Sequence, residues 1–426
     1  MISVKKVFFH VDVNSAFLSW SAIRQVEAGH EDLRLIASAV GGDEKSRHGV
    51  VLAKSILAKK AGVRTGESLF SARKKCPGLV VVPPEFEWYV KNSRDMINIM
   101  SDFTPDVEQY SIDEAFLDMT GMEKLMGPPL ESALKLKDRI KNELGFTVNI
   151  GISSNRLLAK IASDFEKPDK IHTLFPEEIE EKMWNLPVGA LFGVGKSTVK
   201  ELNKMGYYTI GDAAKADKDF LCSRLGAMGT MVWDYANGIE STPMIRREVK
   251  ENSYGNSVTT SNDIAAVQEA LPILMSLTES VAERLRLDGK KAGVVTVTLV
   301  DSDFNRRSHQ CSLGFTTNTT EIIYRNAKQL LYDMWNDKPV RLIGVSAGKA
   351  VREEFEQMSL FTDERTDKLK KLDEAMDEIR DKFGDKAIVR ARLLDSEGHK
   401  GLSSAKAHAG KLRNGGKDNE SSNIRP

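Results

Sequence analysis

Cysteine is scarce in this chain, neither sign of charge is in excess, and no long apolar run occurs. Its three cysteines, Cys76, Cys222 and Cys311, lie far apart and without metal-site spacing. That excludes a disulfide framework and a zinc site, and it suits a reducing cytoplasm. No continuous apolar run reaches the roughly eighteen residues of a membrane span, so none is expected. The opening MISVKKVFFHVDVN lacks a small-residue cleavage site and is not read as a signal peptide. Lysine plus arginine equals aspartate plus glutamate at 61 each. Nucleic-acid binders are often basic, so this balance points away from one unless the cations gather on one surface. What is present is ordinary for a globular protein: 426 residues, 41% hydrophobic and 29% charged, enough for several domains with cores of their own.

Periodicity gives the organisation. Residues 4–12 read as a strand, 15–28 as a helix and 33–40 as a strand, followed by a Gly41-Gly42 turn and a charged loop to Gly49. The stretch VVLAKSILAKKAG (50–62) predicts a helix with Lys54, Lys59 and Lys60 on a basic face. Pro77-Gly78 punctuates, LVVVPP is a short strand, and a helix follows over 86–102. Strands near 107–112 and 115–119 form a hairpin, 130–144 is an amphipathic helix, 147–153 a strand, and 155–168 leads into a helix closed by Pro168. This order predicts an antiparallel sheet covered by helices. Residues 175–240 read as all-helical and 241–252 as a polar linker. A second α+β unit follows, with strands near 254–260, 293–301, 310–316 and 340–348 and helices over 263–288 and 319–335. Beyond residue 361 the chain is charged, helix-prone at first, then rich in glycine and asparagine; disorder is expected over roughly its last thirty residues.

Chemistry concentrates in QYSIDEAFLDM, where Asp113 and Glu114 interrupt an apolar run, and in VFFHVD, which ends at Asp12. Carboxylates in such surroundings call for cations. A pair of hard divalent metals meets that need, and with it metal-assisted phosphoryl transfer. The Val13 carbonyl adds a further oxygen. On a regular strand residues 113 and 114 point to opposite faces, so a shared site requires the hairpin to bend there. The plainer reading is a solvated turn, against which the apolar flanks argue.

Phe17, five residues after Asp12, would lie beneath the sugar of a nucleotide and exclude a 2′-hydroxyl; a core phenylalanine is the plain alternative. Arg47, His48, Lys54, Lys59 and Lys60 form a cluster able to neutralise phosphates, or simply a solvated one. Lys160 is an isolated cation in an apolar helix segment and wants an anion.

FGVGKS (192–197) resembles the end of a P-loop, yet Ala190 stands where the first glycine is required and no strand precedes it. The alternative is a glycine turn between two helices, with Gly193, Gly195 and Lys196 offering amides and charge to a nucleic-acid backbone; a plain structural turn is the other reading. In the second α+β unit Thr296, Thr298, Arg306 and Arg307 lie on a polar sheet face suited to a phosphate backbone or merely to water. Gln357, Met358, Ser359, Leu360 and Phe361 read as a short peptide that docks in a partner's groove, or as a terminal strand or cap.

Taken together, DVNSAF (12–17), YSIDEAFLDMT (110–120), GISSNRLLAKIASDFEKP (151–168) and the glycine turn at 193–195 resemble the Y-family (DinB/UmuC-like) translesion DNA polymerases over residues 5–361. The resemblance implies an α+β multidomain fold, a right-hand polymerase with palm (1–18 and 78–166), fingers (19–77), helix-hairpin-helix thumb (167–240) and a βαββαβ-like little finger (253–350). The remaining 351–426 would be a clamp-binding peptide and a charged, partly disordered tail. It implies two Mg2+ ions on Asp12, Val13, Asp113 and Glu114, Phe17 as steric gate and Lys160 as the triphosphate lysine. Lys59 and Ile56 stand where the family usually has arginine and tyrosine, so the bidentate fork and a hydroxyl are missing; Arg47 or His48 would compensate. Asn14 stands where many members have aspartate. Residues 357–361 are similar to the peptide that binds the bacterial sliding clamp (beta subunit). The implied protein is a monomeric cytoplasmic enzyme that binds primer-template DNA and dNTPs, without a membrane. Val50, Val51 and Ala53 would roof a loose nascent-pair pocket, giving low fidelity and lesion bypass in DNA repair and damage tolerance. A non-catalytic DNA- and clamp-binding scaffold, a two-metal nuclease and a nucleotidyl cyclase are the rivals.

Overall fold

The computed structural model describes residues 6–43, 49–240, 252–336, 338–352, 364–385 and 387–393. The chain falls into two compact units, Met1–Gly42 with Val50–Arg247, and Glu248–Pro426 with Asp43–Gly49.

In chain order the first unit begins β1 (Phe8–Val13), α1 (Ala16–Glu27), β2 (Ser38–Gly41), β3 (Val51–Lys54), α2 (Ile56–Lys60), α3 (Leu69–Lys75) and β4 (Val80–Val82). It continues α4 (Phe86–Ser101), β5 (Val107–Gln109), β6 (Glu114–Asp118), α5 (Glu123–Met126), α6 (Pro129–Leu144), β7 (Val148–Ser153), α7 (Arg156–Ser163) and β8 (Ile171–Thr173). The main sheet runs β5-β6-β1-β7-β8, antiparallel except where β7 meets β8. Strand alternation sorts its side chains onto two faces. Phe9, Val11, Ala115, Leu117, Ile150 and Ile152 turn to one side and pack with Met96 and Met100 of α4 and Leu136 and Ile140 of α6. His10, Asp12, Glu114, Phe116 and Asn149 take the other side. There α7 closes onto the sheet because Gly151 carries no side chain: a Cβ would lie 1.9 Å from the Ala159 carbonyl oxygen. Asn155 caps α7, accepting from the Leu158 amide at 2.8 Å.

The stretch expected as one helix over 50–62 is instead β3 followed by α2. Val51 pairs with Gly41 and Lys54 with Ala39 in a small β3-β2-β4 sheet. Ser55 breaks the run by capping α2, its hydroxyl accepting from the Ala58 amide at 3.1 Å. The strand expected over 33–40 is confined to β2.

The helical stretch that follows comprises α8 (Ile179–Lys182), α9 (Lys196–Lys204), α10 (Ile210–Ala214), α11 (Lys218–Leu225) and α12 (Ala227–Ala236). These share a core of Leu174, Met183, Leu202, Ile210 and Val232.

The second unit contains β9 (Ser253–Ile264), α13 (Val267–Leu287), β10 (Ala292–Asp301), β11 (Arg306–Thr317), α14 (Thr320–Met334), β12 (Val340–Gly348) and α15 (Glu364–Phe383). Its antiparallel sheet is ordered β11-β10-β12-β9. Val295, Val297, Leu299, Ile343 and Val345 pack with Leu274, Leu277 and Val281 of α13 and Leu331 of α14. The charged segment after residue 361 is not all solvated tail: Asp373, Met376 and Arg380 of α15 are buried. Arg286 pairs with Asp373 and Asp377, and Arg390 with Asp373 and Glu279. The linker expected over 241–252 (apart from its last residue), the peptide 357–361 and the final residues 394–426 lie outside the described residues. No helix among the described residues is long and apolar enough to cross a membrane.

Candidate active site

Register sets the site. Asp12 stands opposite Glu114 on one side and opposite Asn149 on the other, so the central strand places the two carboxylates side by side on the α7 face. Each holds its own lysine. Lys167, in the loop between α7 and β8, donates to Asp12 at 2.9 Å and is shared with Asp164 at 2.7 Å. Lys160 of α7 donates to Glu114, its ammonium also lying over the rings of Tyr110 and Phe192. Beneath Glu114, the fully buried His10 sits with Nε2 3.3 Å from the carboxylate and Nδ1 2.8 Å from the Ser163 hydroxyl.

The two acids respond differently. Burial pushes Asp12 up to about 6 against the charge and hydrogen bond of Lys167. Burial also pushes Glu114 upward, but the hydrogen bonds from His10 and Lys160, with the Lys160 charge, outweigh it and bring Glu114 down to about 2. Burial lowers His10.

Asp113 lies in the bend just before β6, so the local distortion that adjacent acids require is present. Its backbone carbonyl accepts from the Val13 amide at 3.0 Å, while its carboxylate accepts from the Ser111 hydroxyl at 2.6 Å. Among the described residues no three His, Cys, Asp or Glu side chains converge closely enough to hold a metal. The donor chemistry nevertheless fits a hard divalent ion. All the candidate donors are oxygens, and an aspartate raised by burial beside a second carboxylate is relieved by added positive charge.

Phe17 is half-buried and stacks on Tyr89 at 4.8 Å, with Phe86 and Trp20 around it. Lys59 is exposed on α2, as is Ile56. Lys54 donates to the Thr65 hydroxyl at 2.8 Å. Of the three small residues expected to roof a pocket, Val51 is core, since its side chain joins Ala58 and Leu69 beneath the small sheet. Arg47 and His48 lie outside the described residues.

Gly193 has φ +81°, a conformation that favours glycine, and Met231 lies 3.1 Å from where a Cβ would stand. Gly195, at the N-cap of α9, has ordinary φ and open space. In the second unit Arg306 is exposed, but Arg307 does not share its face. Successive strand residues alternate, and Arg307 turns to the helices, donating to the Met334 carbonyl at 3.0 Å and to Asn336 at 2.8 Å. The two arginines, expected on one polar face, therefore lie on opposite faces of the sheet.

Sequence reasoning missed Lys167, His10 and the Asn14–Asn149 pair. The lysine lies in a loop, where no periodicity singles it out. His10 offered a signal, a titratable residue at the strand position facing the same side as Asp12.

Opposed carboxylates with paired lysines offer oxygen ligands and cations of the kinds that metal-assisted phosphoryl transfer draws on. Residues 11–164 match the impB/mucB/samB family, 176–207 the IMS family HHH motif, and 251–360 the impB/mucB/samB family C-terminal domain. The chain is 47% identical to a DNA polymerase IV of Clostridium acetobutylicum over 92% of this chain and 100% of the relative. It is 37% identical to a DNA polymerase IV of Acetivibrio thermocellus over 93% of this chain and 99% of the relative. A solved Y-family DNA polymerase chimera shares the fold with a TM-score of 0.71 at 22% identity, over 82% of this chain and 100% of that one. The chain thus belongs to the Y-family (DinB/UmuC) of DNA polymerases, enzymes of translesion synthesis that depend on divalent metal and act on DNA and dNTPs.

Proposed function

We propose that the chain extends a primer, its 3′-oxygen attacking the α-phosphorus of a dNTP with loss of pyrophosphate, and that Asp12, Asp113 and Glu114, with the Val13 carbonyl, would hold two Mg2+ ions for it. Bound there, the ions would supply activation of the attacking oxygen and neutralisation of the triphosphate. The observation that carries this reading is the cross-strand pair Asp12–Glu114, each acid with its own lysine. Lys167 is the more accessible of the two lysines to a phosphate, its side chain 34% exposed against 11% for Lys160. Lys160, expected as the triphosphate lysine, is enclosed by the Tyr110 and Phe192 rings and His10, and in this reading it orients Glu114 and lends its charge to the site. Phe17 acts as the steric gate, a role its packing against Tyr89 supports by fixing the ring. Lys59 adds a point charge for the triphosphate, together with Arg47 and His48.

Residues 1–18 with 78–166 serve as palm, 19–77 as fingers, 167–240 as thumb and 253–350 as little finger. Gly193, Gly195 and Lys196 grip the DNA backbone at the start of α9. The sheet face with Thr296, Thr298, Ser308, Gln310 and Arg306 follows it; their alternation with core residues supports this. Gln357–Phe361 tethers a monomeric, cytoplasmic enzyme to the sliding clamp, raising effective concentration at the primer end. Clamp pull-down by full-length protein that survives replacement of all five residues with alanine would remove that assignment.

Primer extension tests the core of the reading. Wild type with primer-template, Mg2+ and dNTPs lengthens the primer and Asp113→Ala does not. Shortened DNA, cyclic nucleotide or no turnover by wild type would contradict it. High base-selection accuracy on undamaged template would contradict the low-fidelity part alone.

A further inference from the structure

We propose that the buried amides of Asn14 and Asn149 are positioning residues for the Lys167 ammonium; this rests on reading Lys167 and Asp12 as the nucleotide side of the site. Lys167 lies in the middle of the loop that links α7 to β8, and the two amides hold that loop from both sides. The Asn149 Nδ2 donates to the carbonyls of Ser163 at 3.1 Å and Glu166 at 2.7 Å, ahead of the lysine. Beyond it, the Lys170 amide donates to Asn149 Oδ1 at 3.3 Å and the Asp169 amide to Asn14 Oδ1 at 2.9 Å. The pair closes on itself, Asn14 Nδ2 donating to Asn149 Oδ1 at 3.0 Å, and the Thr147 hydroxyl donates to Asn14 Oδ1 at 2.9 Å.

These partners fix which way each amide points. Asn149 must present Nδ2 to two carbonyls, so its Oδ1 cannot turn away from residue 14. Asn14 must present Oδ1 to a backbone N–H, so its other end must be a donor. Both side chains are buried, where an unmatched polar group is costly. An aspartate at position 14 would set a carboxylate oxygen against Asn149 Oδ1 with no proton between them. Asn149 is also the β7 residue opposite Asp12, so one pair of strands carries both the carboxylate and the clamp on the loop whose lysine meets it.

The test is a double-mutant cycle on single-nucleotide incorporation by the full chain, with primer-template, Mg2+ and the complementary dNTP. Lys167→Met raises the dNTP KM by about tenfold, the size of one charge-assisted hydrogen bond, with a smaller change in kcat. Asn14→Asp raises KM in the same direction, and the double variant is no worse than Lys167→Met alone. Thr147→Val, which removes one bond to Asn14 Oδ1, carries the same cycle with a KM increase of roughly threefold should Asn14→Asp fail to fold. An unchanged KM in Lys167→Met would overturn the underlying reading of that lysine. A raised KM there, with Asn14→Asp or Thr147→Val multiplying it further, would overturn the positioning role of the two amides alone. So would a fall in melting temperature with KM untouched.

Discussion

The two larger sheets of this polymerase are built alike, but their polar faces are partnered differently. In each, α-helices cover one face and polar side chains line the other. In the sheet of the first unit the polar face carries Asp12, Glu114, His10 and Asn149, and every one is answered by a partner from α7 or the loop after it. In the sheet of the second unit the corresponding face carries Thr296, Thr298, Ser308, Gln310 and Ser346, with the exposed Arg306 at one end, side chains that water or a phosphate satisfies equally well. The first arrangement needs a helix pressed to the strands, hence Gly151. The second needs nothing above it. Buried charge on the first face has to be compensated within the fold, whereas hydroxyls, an amide and the exposed Arg306 on the second are left to solvent or a ligand.

That contrast can be broken at several points. The largest effect is expected from Asp12→Asn, which removes several kcal/mol of charge stabilisation and slows incorporation by ~10³-fold in single-turnover kinetics. In the second unit Asp373→Ala breaks a buried ion network and costs about 3 kcal/mol in urea unfolding of that unit, with the incorporation rate per folded molecule retained. A third effect is on pH. The folded Asp12 titrates near 6, above its ordinary value of 3.8, so the folded state binds its proton more tightly. Its contribution to the metal-free protein's stability therefore declines as pH rises from about 4 through 6. Chemical denaturation across that window tests the sign, and Asp12→Asn flattens the slope. The smallest effect is expected from Thr298→Val, which weakens DNA binding by only about threefold, as befits one exchangeable hydroxyl.

The architecture was legible because alternation in VFFHVDV and GVVTVTLVD and helical spacing in 130–144 each match a buried stripe. Three kinds of feature escaped. Residues 50–54 looked helical because apolar residues and lysines fall at mixed spacing, while the capping hydroxyl of Ser55 decides the break. The segment after 361 looked like solvated tail because its buried face is Asp373, Met376 and Arg380, and acids count as core only when arginines elsewhere answer them. At the site, Asp12, Asp113 and Glu114 announced themselves as charges among apolar residues. Lys167 and the pairing of Asn14 with Asn149 did not, and His10 signalled only as a titratable residue on the Asp12 side, since the meaning of each depends on partners distant in sequence.

The most direct test of the account compares one residue from each sheet, Glu114→Gln and Thr298→Val, by rapid-quench incorporation at saturating DNA and dNTP. The account predicts a chemical rate lowered by ~10³-fold for Glu114→Gln and unchanged for Thr298→Val, with DNA affinity reduced only in the latter. A Glu114→Gln enzyme with normal chemistry and weakened DNA binding, or a Thr298→Val enzyme slowed at saturation, would contradict the division between a catalytic and a gripping sheet.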